Sequence, residues 1–374
     1  MSVAEICAKV LREERITPEE ALILHEQADL GTLAYLADEV RWRKHPNGVV
    51  SYIIDRNLNP TNVCVTDCGF CAFYAKPKDT EKSYVLDRET IYAKIQETVD
   101  VGGVQILMQG GHHPQLGIEW YEELLRDIKQ RWPKLHMHCM SPPEIEHVSK
   151  VSKIPTTEVL QRLQAAGMDS MPGGGAEILV ERVREIIAPR KTDTDTWLRI
   201  MEEAHALGMR TTATMMFGHV ETVAERIEHL DRLRQVQDRT CGFTAFIDWT
   251  FQPGGNPIGE KMLAEGWSKK TYGEYFRTTA VSRIFLDNFD NLQASFVTQG
   301  SEAATIALRA GCNDFGSAML EENVVSSAGC FELVALEEIE NCIRSAGFIP
   351  RQRNQRYEII DERGPVEAPQ LAGA

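Results

Sequence analysis

The chain has 374 residues, long for one average domain yet matched by a single (β/α)8 barrel of about 250 residues with extensions. Hydrophobic residues make up 43% and charged residues 25%, which supports a large core and excludes a disordered chain. A formal net charge of −15 argues against nucleic acid or an anionic membrane surface as a partner, and no apolar run of about 18 residues offers a membrane span.

Residues 1–46 place apolar side chains at helical spacing: Ile6, Val10 and Leu11, then 21–24, then 33–37. Thr17-Pro18-Glu19-Glu20 reads as a helix start, with Pro at the first helical position and Glu at the third. Glu and Arg interrupt the apolar runs, so residues 1–48 are an amphipathic helical extension and not a signal peptide. A reducing, cytoplasmic setting is expected, with the nine cysteines as ligands or core thiols rather than disulfides.

A strand over 49–54 leads through Asn57 and Asn62 into Cys64-Val65-Thr66-Asp67-Cys68-Gly69-Phe70-Cys71. Three thiols on one short loop can converge on a metal centre, because soft sulfur ligands select zinc or iron–sulfur clusters. No Cys or His follows until His112, so a local four-ligand zinc site lacks its fourth member. Three readings stand here: a [4Fe–4S] cube with one open iron, zinc completed by a distant His or Cys such as Cys139, or buried structural thiols. Cys7, Cys241, Cys312, Cys330 and Cys342 are scattered singly and read as core or interface thiols.

Beyond the cysteines, apolar strands alternate with amphipathic helices at intervals of about 30 to 50 residues, the pattern of a parallel βα sheet. Strands are predicted over 105–109, 136–140, 168–171, 211–217, 243–251 and 292–298, with a short one near Asp314. Helices are predicted over 88–101, 119–132, 156–166, 195–207, 224–239 and 269–286. With the strand entering Cys64 there are eight, so residues 49–330 are expected to form one (β/α)8 barrel. Residues 331–374 are expected to add a helix over 332–346, a basic segment, a strand over 357–360 and a mobile tail from Asp361.

In a parallel barrel the site lies at the carboxyl ends of the strands. Those ends carry Gln109-Gly110-Gly111-His112, where the glycines would present backbone amides to a ligand, and Ser141-Pro142-Pro143-Glu144, expected to be a loop whose direction two prolines fix so as to aim Glu144 inward. Next come Gly173-Gly174-Gly175-Ala176-Glu177, read as a close approach of ligand to backbone. Glu177 would accept hydrogen bonds from ribose hydroxyls or begin the next helix near its positive end. Met216 offers soft contact to an adenine ring or packs in the core. His219 and Glu221 share one face of an extended segment, and Asp248 is an acid within an apolar strand beside Trp249. These three are the candidate proton acceptors.

The combination of Cys64-x3-Cys68-x2-Cys71 with Phe70 before the last Cys, Gln109-Gly110-Gly111, Ser141-Pro142-Pro143-Glu144-Ile145, Pro172-Gly173-Gly174-Gly175-Ala176-Glu177, Thr214-Met215-Met216-Phe217-Gly218-His219-Val220-Glu221 and Asn313-Asp314-Phe315-Gly316-Ser317 resembles the radical S-adenosylmethionine (SAM) enzymes of the menaquinone futalosine pathway. Trp249-Thr250-Phe251-Gln252-Pro253 favours its dehypoxanthine futalosine cyclases over the aminofutalosine and deazaflavin-forming synthases. Two departures stand out: His112 where the related Gly-Gly-Glu element has Glu, and Asp248 where Pro is expected.

The resemblance implies a [4Fe–4S] cluster on Cys64, Cys68 and Cys71, and SAM near Phe70, Gln109, Gly110, Gly111, Glu144, Glu177 and Met216. It further implies a 5′-deoxyadenosyl radical that takes hydrogen from the ribose of dehypoxanthine futalosine, followed by ring closure on the benzoate and loss of an electron and a proton. The implied partners are that nucleoside-like substrate and an electron donor such as flavodoxin or ferredoxin, with a homodimer left open. A non-catalytic iron–sulfur or zinc-stabilised barrel is the alternative outside enzymes.

Overall fold

The computed structural model describes residues 1–330 and 335–361. Its architecture follows from β1 (Val49–Leu58), a ten-residue strand buried on every residue. Such a strand must be covered on both faces and both edges, which is the condition of a parallel barrel rather than of a half-wet antiparallel sheet. The ring continues through β2 (Gln105–Met108), β3 (His136–Cys139), β4 (Ser170–Met171), β5 (Arg210–Phe217), β6 (Phe243–Thr250), β7 (Asn291–Gln293) and β8 (Asp314–Met319). Each strand pairs in parallel with the next, and β1 pairs with both β2 and β8, so the expected eight-stranded barrel closes.

Helices cover the outside, and their ends are set by local chemistry. Asp193 caps Thr194–Ala206 by accepting from Thr196 N–H, Thr222 and Glu225 form a capping box for Val223–Thr240, and Thr271 caps Tyr272–Phe285. The N-terminal helices Val3–Leu11, Pro18–Gln27 and Leu30–Lys44 lie against the outer layer, where Arg277 donates to the carbonyls of His25 and Ala28. Among the described residues no helix is long and apolar enough to cross a membrane.

β9 (Ile349–Gln352) adds a ninth strand, pairing in parallel with Val49 to Tyr52 of β1. β8 occupies the other edge of β1 at Ser51 to Asp55, so β9 shares the β2 edge and covers its lower half. Just beyond it, Arg353 enters the base of the barrel and clasps Asp314 through two hydrogen bonds of 2.5 and 2.9 Å. Ser51 donates to the same carboxylate, and Gln355 reaches His138. The C-terminal segment therefore closes the end of the barrel opposite the strand-end loops.

Several local expectations are corrected. The seventh strand, expected over 292–298, ends at Gln293: Ala294 makes the last bond to Asp314 O, and Phe296–Gln299 turns helical as Phe296 stacks on Phe315. Ser141-Pro142-Pro143-Glu144 is not a loop but the start of helix Pro142–Ser152, with proline in the first turn where its missing N–H costs nothing. The last strand lies at 349–352 rather than 357–360, where Ile359 makes only a single antiparallel bridge to Arg353. The late helix is Leu336–Ser345, and the expected tail beyond Asp361 lies outside the described residues.

Candidate active site

The cysteine loop rises from β1 and is tied to the barrel rim by backbone bonds. Cys64 N–H donates to Ala75 O, Val65 N–H to His112 O, and Gly69 N–H to Ile187 O. It borders a cavity of about 280 Å3 at the carboxyl ends of the strands, walled by Cys64, Cys68 and Cys71 together with loops from β2 to β4, β6 and β8. All three cysteines are free thiols. Burial pushes the Cys68 thiol up to about 12 and raises Cys71 as well, so thiolates here need positive charge beside them.

Every residue expected to meet a cofactor lines this cavity: Phe70, Gln109, Gly110, Gly111, Glu144, Glu177 and Met216. Their roles differ from expectation at the glycines. Gly110 N–H donates to Glu144 Oε1 at 2.9 Å and Gly111 N–H to Thr61 O at 2.8 Å, so neither amide is presented to a ligand. Gly111 is needed by the protein itself, since a Cβ there would stand 2.3 Å from Val63 O at the root of the cysteine loop. The glycine triplet is crowded in the same way, by Thr212 O at Gly173, Gln109 Nε2 at Gly174 and Pro143 at Gly175.

Glu144 is buried and its carboxylate is fully engaged, by Gly110 N–H, Ser141 N–H and Ser141 Oγ. It fastens the β2 and β3 loops together. Glu177 does not start a helix, the next one being Glu181–Ile187. It sits in the left-handed region at φ 42°, with Oε1 held by Lys191 Nζ at 2.8 Å and Oε2 buried without a hydrogen-bond partner. The buried Arg184 guanidinium stands 3.9 Å from that oxygen, so the carboxylate sits between two cations.

Lys191 was not singled out by sequence, because it lies in a loop with no strand or motif to mark it. Its ammonium is 5.2 Å from the Phe70 ring centre. Burial alone would lower its pKa, but Glu177 and Cys68 carry it above the ordinary lysine value, so it stays charged beside the thiols. Tyr74, bonded to Asp67, and His112, bonded to Thr66 at 2.6 Å and stacked on His147, are further wall residues. Burial drives His112 well below the usual histidine pKa and leaves it neutral.

The three candidate proton acceptors stand off the cavity wall. His219 lies behind Phe251; its Nε2–H donates to Met216 O and its Nδ1 accepts Val220 N–H, while burial keeps it neutral. Nδ1 is 3.1 Å from Glu221 Oε2, yet with that lone pair already taken the two are neighbours and not an ion pair. Glu221, with a side-chain exposure of 0%, accepts from Gly218 and His219 N–H and from Arg226 Nε, and the Arg226 charge with these bonds outweighs its burial and holds it below the carboxylate range. Asp248 points away from the lumen to Thr279 on the outer helix, while its neighbours Trp249 and Phe251 line the cavity. Alternation along a strand explains this: adjacent residues cannot share a face.

The donor set suits an iron–sulfur cluster. Among the described residues no three Cys, His, Asp or Glu side chains are close enough to hold one metal ion. Soft cysteine thiolates are the ligands by which such clusters are held. Cys139, the candidate distant zinc ligand, is buried on β3 and does not border the cavity.

Comparison with known proteins agrees with this arrangement. Residues 58–233 match the radical SAM superfamily, and residues 240–365 match the CofH/MqnC C-terminal region. Cyclic dehypoxanthine futalosine synthase of Streptomyces coelicolor is 49% identical over 348 residues, 92% of this chain and 86% of that protein. The protein of the same description from Halalkalibacterium halodurans is 45% identical, covering 96% and 95%. A 5-amino-6-(D-ribitylamino)uracil–L-tyrosine 4-hydroxyphenyl transferase of Methanosarcina mazei is 40% identical, covering 96% and 94%. The fold is that of the hydrogenase maturase HydG of Carboxydothermus hydrogenoformans, with a TM-score of 0.74 at 16% identity over 95% of this chain and 80% of that one. Methylornithine synthase PylB superposes with a TM-score of 0.67 at 17% identity, over 92% and 97%.

Proposed function

This chain belongs to the radical SAM superfamily, whose enzymes use a [4Fe–4S] cluster and SAM, and on that premise we propose that it is a dehypoxanthine futalosine cyclase of menaquinone biosynthesis. The observation that carries the reading is one cavity bordered by three free thiols and by the buried Glu177–Lys191 ion pair. Identity favours the cyclases, at 45–49%, over the archaeal transferases, at 38–41%. Bound cluster and SAM supply a strongly oxidising carbon radical able to take hydrogen from an unactivated ribose carbon.

The protein's own residues account for the rest. Cys64, Cys68 and Cys71 would hold the cluster at the edge of the cavity. Lys191 offers its charge to an anionic group, and Glu177 holds that ammonium in place. Met216 gives soft contact, and Glu144 keeps the glycine loop in place without touching the ligand. Phe70, Phe73, Trp249 and Phe251 exclude water, so the radical meets only its substrate. His219 and Glu221 support the wall through Phe251 and Met216 as positioning residues, and no base is assigned to them. A cytoplasmic setting and an external one-electron donor such as flavodoxin or ferredoxin complete the proposal.

The test is anaerobic. Reconstituted, reduced enzyme with SAM and dehypoxanthine futalosine is expected to form 5′-deoxyadenosine and a cyclised product lighter by two hydrogens. Deoxyadenosine without that product transfers the reading to the sister synthases. Wild-type SAM cleavage by Cys64→Ala, Cys68→Ala or Cys71→Ala sinks the cluster assignment.

A further inference from the structure

The cavity has two chemically different halves, and the topology keeps them apart. In the eight-strand ring β2 faces β6 and β4 faces β8. The loops after β2, β3 and β4 supply Gln109, Ser141, Glu144, Glu177 and Lys191, a polar wall with one buried ion pair. Across the ring, the loops after β6 and β8 supply Trp249, Phe251, Val324, Val325 and Ala328. The one amide on that side, Gln252, is occupied within the protein: Nε2 donates to Thr250 O and Oε1 accepts from Cys330. Among the described residues, apolar side chains make up most of this half, and the Trp249 indole N–H is its polar exception.

The β8 part of the apolar half is a strap over residues 322–329, fixed at both ends. Glu322 folds its carboxylate back onto the amides of Val324, Val325 and Ser326 at 2.8–3.0 Å, and accepts from Asn57 on β1. Asn323 is bound to Asn59, a cavity residue, at 3.1 Å. At the far end Ala328 O lies 2.2 Å from where a Cβ on Gly254 would stand. Close seating of the strap on the β6 loop thus requires glycine at position 254.

We propose that the 322–329 strap is the substrate-specificity wall: Val324, Val325 and Ala328, facing Trp249, take the flat aromatic part of the substrate while the polar half holds SAM. This deepens the cyclase reading and rests on it for the identity of the substrate. Glu322 and Gly254 act as positioning residues, setting where the apolar side chains stand.

Binding is measured on oxidised holoenzyme with SAM, where no turnover occurs. Dehypoxanthine futalosine is expected to slow amide hydrogen exchange across 322–329. Val325→Thr, which puts a hydroxyl against the aromatic ring at near-constant volume, is expected to weaken nucleoside binding about tenfold with SAM affinity unchanged. Gly254→Ala is expected to do the same, and Val324→Thr serves if that variant fails to fold. Unchanged nucleoside affinity in both valine variants overturns the proposal, as does an equal loss of SAM affinity. If the wild type does not bind dehypoxanthine futalosine, the cyclase reading fails on its own. The exchange measurement with L-tyrosine and 5-amino-6-(D-ribitylamino)uracil then decides the strap: protection by either supports it, and protection by neither refutes it.

Discussion

Arg353→Met removes the positive partner from a carboxylate that, among the described residues, has no other cation within reach of a salt bridge. Arg353 is 3% exposed and Asp314 0% exposed, and the two share a bidentate pair of 2.5 and 2.9 Å. Ser51 Oγ and Gly316 N–H also donate to Asp314, but neither carries charge. Methionine keeps the aliphatic bulk of the side chain, so packing against Tyr357, now stacked 3.9 Å from the guanidinium, is largely kept. What remains is a buried, uncompensated charge, for which a loss of roughly 3–5 kcal/mol is expected. Urea unfolding of the cluster-free chain followed by circular dichroism reads this directly as a lower midpoint. The double variant Arg353→Met with Asp314→Asn removes both charges and is expected to recover most of the loss. A single variant that loses less than about 1 kcal/mol, or a double variant as unstable as the sum of the singles, would refute the claim that the C-terminal segment is locked by this pair.

Asp248→Asn tests the buried acid of β6. Burial raises its folded pKa to about 7, above its value in the unfolded chain, so its contribution to stability is full at low pH and is lost as pH rises toward 7. The asparagine variant is therefore expected to gain on wild type as pH rises from 4 to 7, by roughly 4 kcal/mol at most, and to hold that gain above pH 7; parallel urea midpoints across that range would discount the assignment. Gly111→Ala forces a Cβ to within 2.3 Å of Val63 O, and is expected to lower the iron and sulfide retained after reconstitution. Full cluster loading in that variant would show that the cysteine loop tolerates the shift. Glu177→Gln leaves Lys191 buried without its carboxylate and is expected to weaken SAM about tenfold with the cluster intact, as measured by equilibrium dialysis.

Much of the barrel is legible in order along the chain because each βα unit is local. Apolar runs end at polar or glycine-rich residues, and caps such as Thr222 with Glu225 are written within four positions. The short β4 and β7 are read less well, since two or three residues carry no periodicity and the ring's closure decides where pairing stops. Ser141-Pro142-Pro143-Glu144 was misread because a proline pair signals both a loop and a helix start, and only the capping box distinguishes them. His219, Glu221 and Asp248 looked equivalent to Glu144 and Glu177 in sequence, as acids and bases near strand ends. The pleat turned Asp248 outward, and the turn after β5 occupied Glu221 with backbone amides and Arg226.

By itself the sequence determined the eight strands, the three-thiol loop and the ring of strand-end residues, because all of these are encoded by short-range pattern and by side chains with distinctive chemistry. Tertiary structure alone decided which glycines serve packing, that Lys191 joins Glu177 across fourteen residues, and that the 322–329 strap and the 349–357 segment close opposite ends of the barrel. Those contacts join positions that share no local pattern. They exist only once the ring has closed and brought distant loops within reach of one another.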